Sequence, residues 1–560
     1  MDVLDISRWQ FGITSVYHYI FVPLTIGLGP LVALMQTFWQ ITAKEYWYRA
    51  TRFFGTIFLI NFAMGVATGI VQEFQFGMNW SQYSIMVGDV FGGPLALEAL
   101  IAFFLESVFL GVWIFGWGKV PGWLHNAAIW IVAIATNISA YFIITANSFM
   151  QNPKGAWFNP ETGRAELESI TELLFNHTAV YGTLHAVTSA FLVGATFILG
   201  VSCWWLVRSR HLAQKHGWAP DSAEIQRHSG YRPMIKLGLW STVLASLGVF
   251  ITGDLQAKLM FEQQPMKMAA AESLCHTETD PNFSILTIGT HNNCDSVHHL
   301  IELPHILPFL AEGKFSGVTL QGALDLQQQY ETLYGPGNYI PNLFVTYWSF
   351  RAMIGLMLGS LVLAFIAWLF TRKNKAPEGT WAKWFGRGAL IAIPFPYLAN
   401  MSGWVFAEMG RQPWIVHPNP KHVGDPRTEL IRMTIAEGVS EHSAAYVWIT
   451  LIGFTLIYAL LFVVWYWLIR RAVLFGPPYA GAPEFHADGR IVGPASAVGT
   501  DLPMGIEPVH FGLRKEAAQA GTATDTGYNL STVLGSSTGV LLADASQNHR
   551  ASSAPETKKD

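Results

Sequence analysis

Charge is what this sequence has least of. Only 13% of its 560 residues are Asp, Glu, Lys or Arg, where an ordinary globular chain carries about 25%. With 51% apolar and 14% aromatic residues, that balance sets aside the soluble classes and favours a chain immersed in lipid. Cysteine is nearly absent too. There are 3, with neither a Cys-x-x-Cys pair nor a Cys-x-x-Cys-His site, so iron–sulfur clusters, structural zinc and covalent c-type haem all lack their ligand pattern. No Lys- or Arg-rich run stands out and the net charge is only -4, so no nucleic-acid partner is expected. Residues Met1 to Gln10 lack a basic segment followed by a small-residue cleavage site, and no cleaved signal peptide is expected.

What the chain has in quantity is long apolar runs. Stretches of about 20 residues or more, enough to cross roughly 30 Å of hydrocarbon, lie near 11–40, 53–76, 94–117, 124–149, 177–207, 233–253, 341–370, 388–409 and 443–469. The expected fold is an all-α, polytopic membrane bundle of about nine transmembrane helices. Lys44, Arg49 and Arg52, then Lys119, then Arg208, Arg210, Lys215, Arg227 and Arg232, then Arg372, Lys373 and Lys375 fall in alternate connections, which makes those connections cytoplasmic. The N-terminus is then outside and the C-terminus, beyond Arg470 and Arg471, cytoplasmic.

Two segments break the pattern of short connections. Residues 254–340 form an outer segment far longer than usual and are read as a binding element, dividing helices 1–6 (1–253) from helices 7–9 (341–475). It carries Cys275 and Cys294, which the orientation argument puts in an oxidising compartment where a disulfide can close the segment between them; Cys203, near an inner membrane edge, is expected to stay free. Residues 476–560 turn to Gly, Ala, Ser, Thr and Pro without apolar periodicity and are expected to be a disordered cytoplasmic tail.

Ionisable groups inside a span cost roughly 2.5 to 3.5 kcal/mol each on insertion scales and need a partner, a cavity or a cofactor. His18 lies among aromatic and apolar neighbours, Tyr17-His18-Tyr19-Ile20-Phe21-Val22-Pro23, that could wall a flat macrocycle; it reads either as an axial haem ligand or as a histidine bonded to a neighbouring helix. His185 and Met353 lie at similar depth, roughly two and three turns from the outer ends of their spans. A His/Met pair gives a six-coordinate, low-spin iron suited to passing electrons, and Arg351 beside Met353 could neutralise a haem propionate. Glu98 and Glu106 in one span are about 80° apart around an α-helix and about 12 Å along it; proton delivery and interhelical salt bridges both fit them. Near the end of another span, Glu408 precedes Gly410-Arg411-Gln412-Pro413-Trp414, which offers an oxygen ligand, a cation for propionates and a helix-ending Pro.

Taken together these residues resemble subunit I of the cytochrome bd-type quinol oxidases, over roughly residues 1–475. Gly-Arg-Gln-Pro-Trp is the family's most distinctive short motif. Tyr-His-Tyr-Ile-Phe-Val-Pro-Leu-Thr at 17–25, Glu-Phe-Gln-Phe-Gly at 73–77, Phe-Phe-Leu-Glu-Ser at 103–107 and Met-Gln-Asn-Pro at 150–153 match as well. The resemblance implies two haems b and one haem d, with His185 and Met353 ligating the low-spin haem b, and His18 and Glu408 serving the high-spin pair. It also implies that Glu98 and Glu106 approach that pair, Glu98 as a further candidate ligand, that Arg351 and Arg411 hold propionates, that Trp404 lies near the haems, and that Lys267 and Glu272 take part in quinol oxidation. The outer segment is shorter than the extended version of some members, and its two cysteines depart from the commonest pattern.

The activity so implied is oxidation of membrane quinol and reduction of O2 to water in a bacterial plasma membrane, with charge separated across the bilayer. Its partners would be subunit II, small single-helix subunits and the lipid bilayer. A variant carrying haem b in place of haem d would have alike protein ligands. Two rivals are a haem–copper oxidase, which needs several intramembrane histidines whereas His298 and His299 lie in the outer segment, and a proton-coupled transporter, which would lack haem absorbance. Met353→Leu is expected to remove or reshape the low-spin reduced-minus-oxidised band while leaving assembly partly intact; an unchanged spectrum would refute the ligand assignment.

Overall fold

Nine helices long and apolar enough to cross a membrane occur among the described residues of the computed structural model: Val3–Thr42, Glu45–Met78, Ser81–Phe115, Gly122–Gln151, Ile170–His211, Tyr231–Gln263, Leu343–Thr371, Gly379–Met409 and Ala444–Phe475, here spans 1 to 9. The structure describes residues 2–217, 231–292, 294–375, 377–419 and 422–477. The tail expected over 476–560 lies almost wholly outside them, as does Arg227.

Span 5 is the axle of the bundle. Its most apolar window is 83% buried, against 17% for spans 3 and 9, whose outward faces are left to lipid and to other chains. Without a hydrophobic force between helices in lipid, close packing has to come from small residues. A Cβ at Gly194 of span 5 would stand 2.7 Å from the Gly27 carbonyl carbon of span 1, and one at Gly238 of span 6 would stand 2.8 Å from Leu199 N of span 5. The apolar core that these contacts gather holds Trp39, Tyr48, Phe53, Phe54, Trp113 and Trp205. Within it, Arg52 lies over the Trp117 ring, 4.9 Å from its centroid.

Four spans are not continuous α-helices; in span 5 the short helix Ile170–Leu174 is separated from the long one that starts at His177. Span 1 breaks after His18 and restarts at Val22 with Pro23 in its first turn. Proline has no N–H to give to the preceding turn. Asn61 of span 2 donates to the carbonyl of Phe21 at this break, at 2.6 Å, alongside the backbone N–H of Thr25, and so ties span 2 to the break. Span 8 breaks the same way, with Gly379–Ile391 followed by Pro394–Met409. Span 3 starts at Ser81, well before the expected 94, and carries a π-helical stretch at Glu98–Phe103. The separation of about 80° expected for Glu98 and Glu106 assumed 3.6 residues per turn throughout; the wider π turn between them changes their rotational offset. π turns concentrate at functional positions because they re-aim the side chains that follow.

Span 6 runs to Gln263, ten residues past its expected end, so the outer segment starts at Gln264. It is built rather than loose: a buried helix Pro265–Glu272, a two-stranded pairing of Phe283–Ile288 with His298–Leu303, and helices Ile306–Glu312 and Ala323–Tyr334. Cys275 and Cys294 form a disulfide and Cys203 is buried and free, as expected for all three. Between spans 8 and 9, Trp414–Val416 pairs with Met433–Thr434.

Because no space exists for a side chain between spans 1 and 5, Gly194→Val is expected to destabilise the protein by about 1–3 kcal/mol through overpacking, read as a lower midpoint for thermal aggregation in detergent. Gly453→Ala in span 9, where a Cβ meets nothing within 4 Å, should leave that midpoint in place.

Candidate functional site

Three histidines within the bundle, His125 buried and His18 and His185 half-buried, separate into two kinds. His125 spends both ring nitrogens on protein: Nδ1 faces Gln36 Nε2 at 2.8 Å and Nε2 faces the Trp113 carbonyl at 2.8 Å. His18 meets Thr68 Oγ1 through Nδ1 at 2.7 Å, and His185 meets Thr252 Oγ1 through Nδ1 at 3.1 Å, with the Val249 carbonyl also hydrogen-bonded to its ring. Among the described residues neither Nε2 has a protein hydrogen-bond partner, which leaves it open to another group. His18 sits at the break in span 1, which turns its ring out of the helix. Its neighbour Tyr19 stacks on Trp404 of span 8 with ring centroids 5.1 Å apart.

His185 stands on span 5 and Met353 on span 7. Met353 lies against span 8, where a Cβ at Gly403 would come 2.9 Å from Met353 Sδ. Arg351, one half-turn away, is fully engaged elsewhere. Its Nη2 pairs with Glu272 Oε2 at 2.6 Å, Nε donates to the Ser284 carbonyl at 3.0 Å, and Nη1 donates to the Ala271 carbonyl. The guanidinium so held clamps the long connection after span 6 onto span 7.

At the C-terminal end of span 8, Glu408 pairs with Arg411, and its other oxygen accepts from Asn147 Nδ2 at 3.1 Å. Arg411 is 4% exposed, and its Nε and Nη1 are buried without partners. Two guanidinium donors so placed call for an anion. Lys267, 3% exposed, reaches Gln151 Oε1 at 2.7 Å, and its stem packs on Gly410. Burial and the Arg411 cation push its pKa down from 10.5 to about 7, with Glu408 pulling the other way. Burial and the Lys267 and Arg411 cations push the neighbouring His417 down to about 3. Glu272, five residues on from Lys267 and so on another side of their short helix, has a carboxyl raised by burial and opposed by Arg351.

The carboxylates of span 3 face span 4. Ser139 Oγ donates to Glu98 Oε1 at 2.8 Å, and the buried Glu106 lies beside Thr136. Glu73 of span 2 lies close to Glu98. Sequence reasoning passed over Glu73, Asn147, Gln151, Thr68 and Thr252 as site residues. Glu73 and Gln151 stand inside the stretches Glu-Phe-Gln-Phe-Gly and Met-Gln-Asn-Pro, which could have flagged them; the others carry no such signal.

Among the described residues no group of three or more His, Cys, Asp or Glu side chains converges to hold a bare metal ion. Isolated imidazole, thioether and carboxylate donors on separate helices suit iron held by a macrocycle instead. The family model for cytochrome bd terminal oxidase subunit I matches residues 6–477. The chain belongs to that family. It is 40% identical over 479 residues to cytochrome bd ubiquinol oxidase subunit 1 of Bacillus subtilis (strain 168), covering 85% of this chain and 94% of that one. Cytochrome bd-II ubiquinol oxidase subunit 1 of Escherichia coli (strain K12) is 35% identical over 470 residues, covering 74% and 88%. A bd oxidase structure from Geobacillus thermodenitrificans shares the fold with a TM-score of 0.70 at 24% identity, over 85% of this chain and 99% of that chain.

As a cytochrome bd oxidase subunit I, the chain is a multi-pass bacterial membrane oxidoreductase with haem cofactors and a subunit II partner. The residues fit haem: two unpartnered Nε2 atoms, a thioether seated over a glycine, and an arginine with spare buried donors.

Lys267 gives a pH test of the site. The unfolded chain keeps the lysine proton up to about pH 10.5 and the folded one releases it at about 7, so the unfolded state holds more protons between those limits and stability rises with pH there. The parent protein is expected to gain thermal stability relative to Lys267→Met between pH 7 and 10, with the difference flat below pH 6.

Proposed function

We propose that this subunit oxidises membrane quinol at its outer face and reduces O2 to water on two haems b and one haem d, in a complex with subunit II and small single-helix subunits. His185 and Met353 would hold the low-spin haem b, and His18 and Glu408 the high-spin pair, with Glu98 approaching it, Trp404 beside it and Arg411 on a propionate. Bound there, haem iron supplies the one-electron relay and the site where oxygen is held.

The observation that carries the quinol half is a carboxylate with one free end. Glu272 stands in the wall of a cavity of about 670 Å3, with Tyr181, Leu259, Met268, Leu274 and Lys258 around it. Arg351 fixes its Oε2, while Oε1 is buried with no hydrogen-bond partner. The apolar walls suit a quinol ring, and Oε1 can accept the proton of its hydroxyl. Arg351 opposes the burial that raises the carboxyl, which favours the ionised form able to accept. Each quinol yields two electrons and two protons, and two quinols reduce one O2 to two waters.

Lys267 balances the charge where Glu408 and Arg411 meet the outer segment. Glu106, held beside Thr136, and Glu98, held by Ser139, pass protons drawn from the cytoplasmic side toward the outer ends of spans 3 and 8. Protons released outside and taken up from inside amount to charge separation, which generates a proton motive force.

Glu272→Gln keeps the shape but not the base. Quinol oxidation by the purified oxidase is expected to fall about 10²- to 10⁴-fold with haem content unchanged. The parent's kcat/KM for quinol should decline as pH falls through the raised pKa of Glu272, and the variant should lack that decline. Parental turnover in Glu272→Gln would overturn this assignment.

A further inference from the structure

His18 and His185 are held in the same way, by a Thr-Gly dipeptide on the span that follows each of them in sequence. Thr68-Gly69 of span 2 meets His18, and Thr252-Gly253 of span 6 meets His185. Within the nine spans this dipeptide occurs only at these two places.

Each threonine hydroxyl has a single proton and sends it down its own helix. Thr68 Oγ1 donates to Met64 O at 2.9 Å, and Thr252 Oγ1 donates to Gly248 O at 2.7 Å. Thr188, whose Oγ1 lies 3.1 Å from that of Thr252, likewise donates to Leu184 O at 2.8 Å. With their protons so committed, Thr68 and Thr252 present lone pairs to the rings, so Nδ1 carries the hydrogen and Nε2 the free electron pair. The glycine that follows makes room for the ring. A Cβ at Gly253 would stand 3.2 Å from His185 Cε1, and one at Gly69 would stand 3.4 Å from His18 Cε1.

We infer that Thr68-Gly69 and Thr252-Gly253 are paired cradles that fix the tautomer, rotation and basicity of two axial imidazoles, with Thr68 and Thr252 as positioning residues. The inference rests on the assignment of His18 and His185 as haem ligands. A hydrogen bond from Nδ1–H raises the donor strength of Nε2, as outer partners of metal-bound histidines do. A stronger donor favours ferric over ferrous iron, so Thr252 holds the potential of the low-spin haem down.

The test is a redox titration of the low-spin haem band in the purified oxidase for the parent, Thr252→Val, Thr252→Ser and His185→Ala. Val keeps the shape without the acceptor and Ser keeps the acceptor. Thr252→Val is expected to shift the ferrous/ferric equilibrium about tenfold toward ferrous, which is about 59 mV upward for one electron, or to lose the haem, while Thr252→Ser stays at the parental potential. Should Thr252→Val not accumulate, Thr252→Ala gives the same reading. In Thr68→Val the iron–histidine stretching frequency of the ferrous high-spin haem should fall. Potentials that are the same in the Val, Ala and Ser variants as in the parent would overturn the cradle while leaving the ligands in place. A parental low-spin spectrum in His185→Ala would overturn the ligand assignment and the cradle together.

Discussion

A ring nitrogen inside a helical bundle without a protein partner is the constraint around which this molecule is arranged. Hydrocarbon offers nothing to satisfy it, and the helices near His18 and His185 satisfy only the opposite side of each ring. The break in span 1 follows from the same need. Pro23 stands in the first turn of the helix that restarts after His18, and Asn61 adds a donor to the Phe21 carbonyl there. His125 shows what a histidine looks like here when the protein means to keep it: both nitrogens bonded, inside an aromatic core.

Two arginines next to the site do different things because their surroundings differ. Arg411 shares Glu408 but keeps two buried nitrogens unpaired, so it stays available to an anion. Arg351 spends its donors on Glu272 and on carbonyls of the outer segment, locking a surface element to the helix that bears Met353. The carboxylate on which quinol oxidation is proposed to depend and the thioether proposed for the relay are therefore joined through one side chain and a single half-turn of helix. A buried pair of this kind contributes little net stability, since desolvation offsets much of its attraction; its value lies in fixing one oxygen of Glu272 and freeing the other.

The nine spans were legible because lipid imposes one length and one composition on every crossing helix, and the donor residues stood out as polar exceptions within them. His18, His185, Glu98, Glu106 and Glu408 could each be named from sequence for that reason, Met353 through its depth and its neighbour Arg351, and Arg411 through its short motif. Gly-Arg-Gln-Pro-Trp and the other short stretches then pointed to the family. Composition gave no warning that residues 264–342 are a folded element, because its strands and helices are short and held by contacts to spans 6 and 7 rather than by their own periodicity. The π turn in span 3 was equally silent, since the residues of an α and a π turn look alike one by one.

The sequence alone determined what is local: which segments cross the bilayer, which polar groups are marooned in them, and which two cysteines lie in the same outer segment. Tertiary structure alone decided which of those groups have partners. Only the fold puts Thr68 under His18, Gln151 on Lys267 and Arg351 on Glu272, residues tens to more than a hundred positions apart. Hydropathy is a property of each residue with its solvent, readable one helix at a time, whereas the satisfaction of a hydrogen bond is a property of two helices and exists only once they are packed.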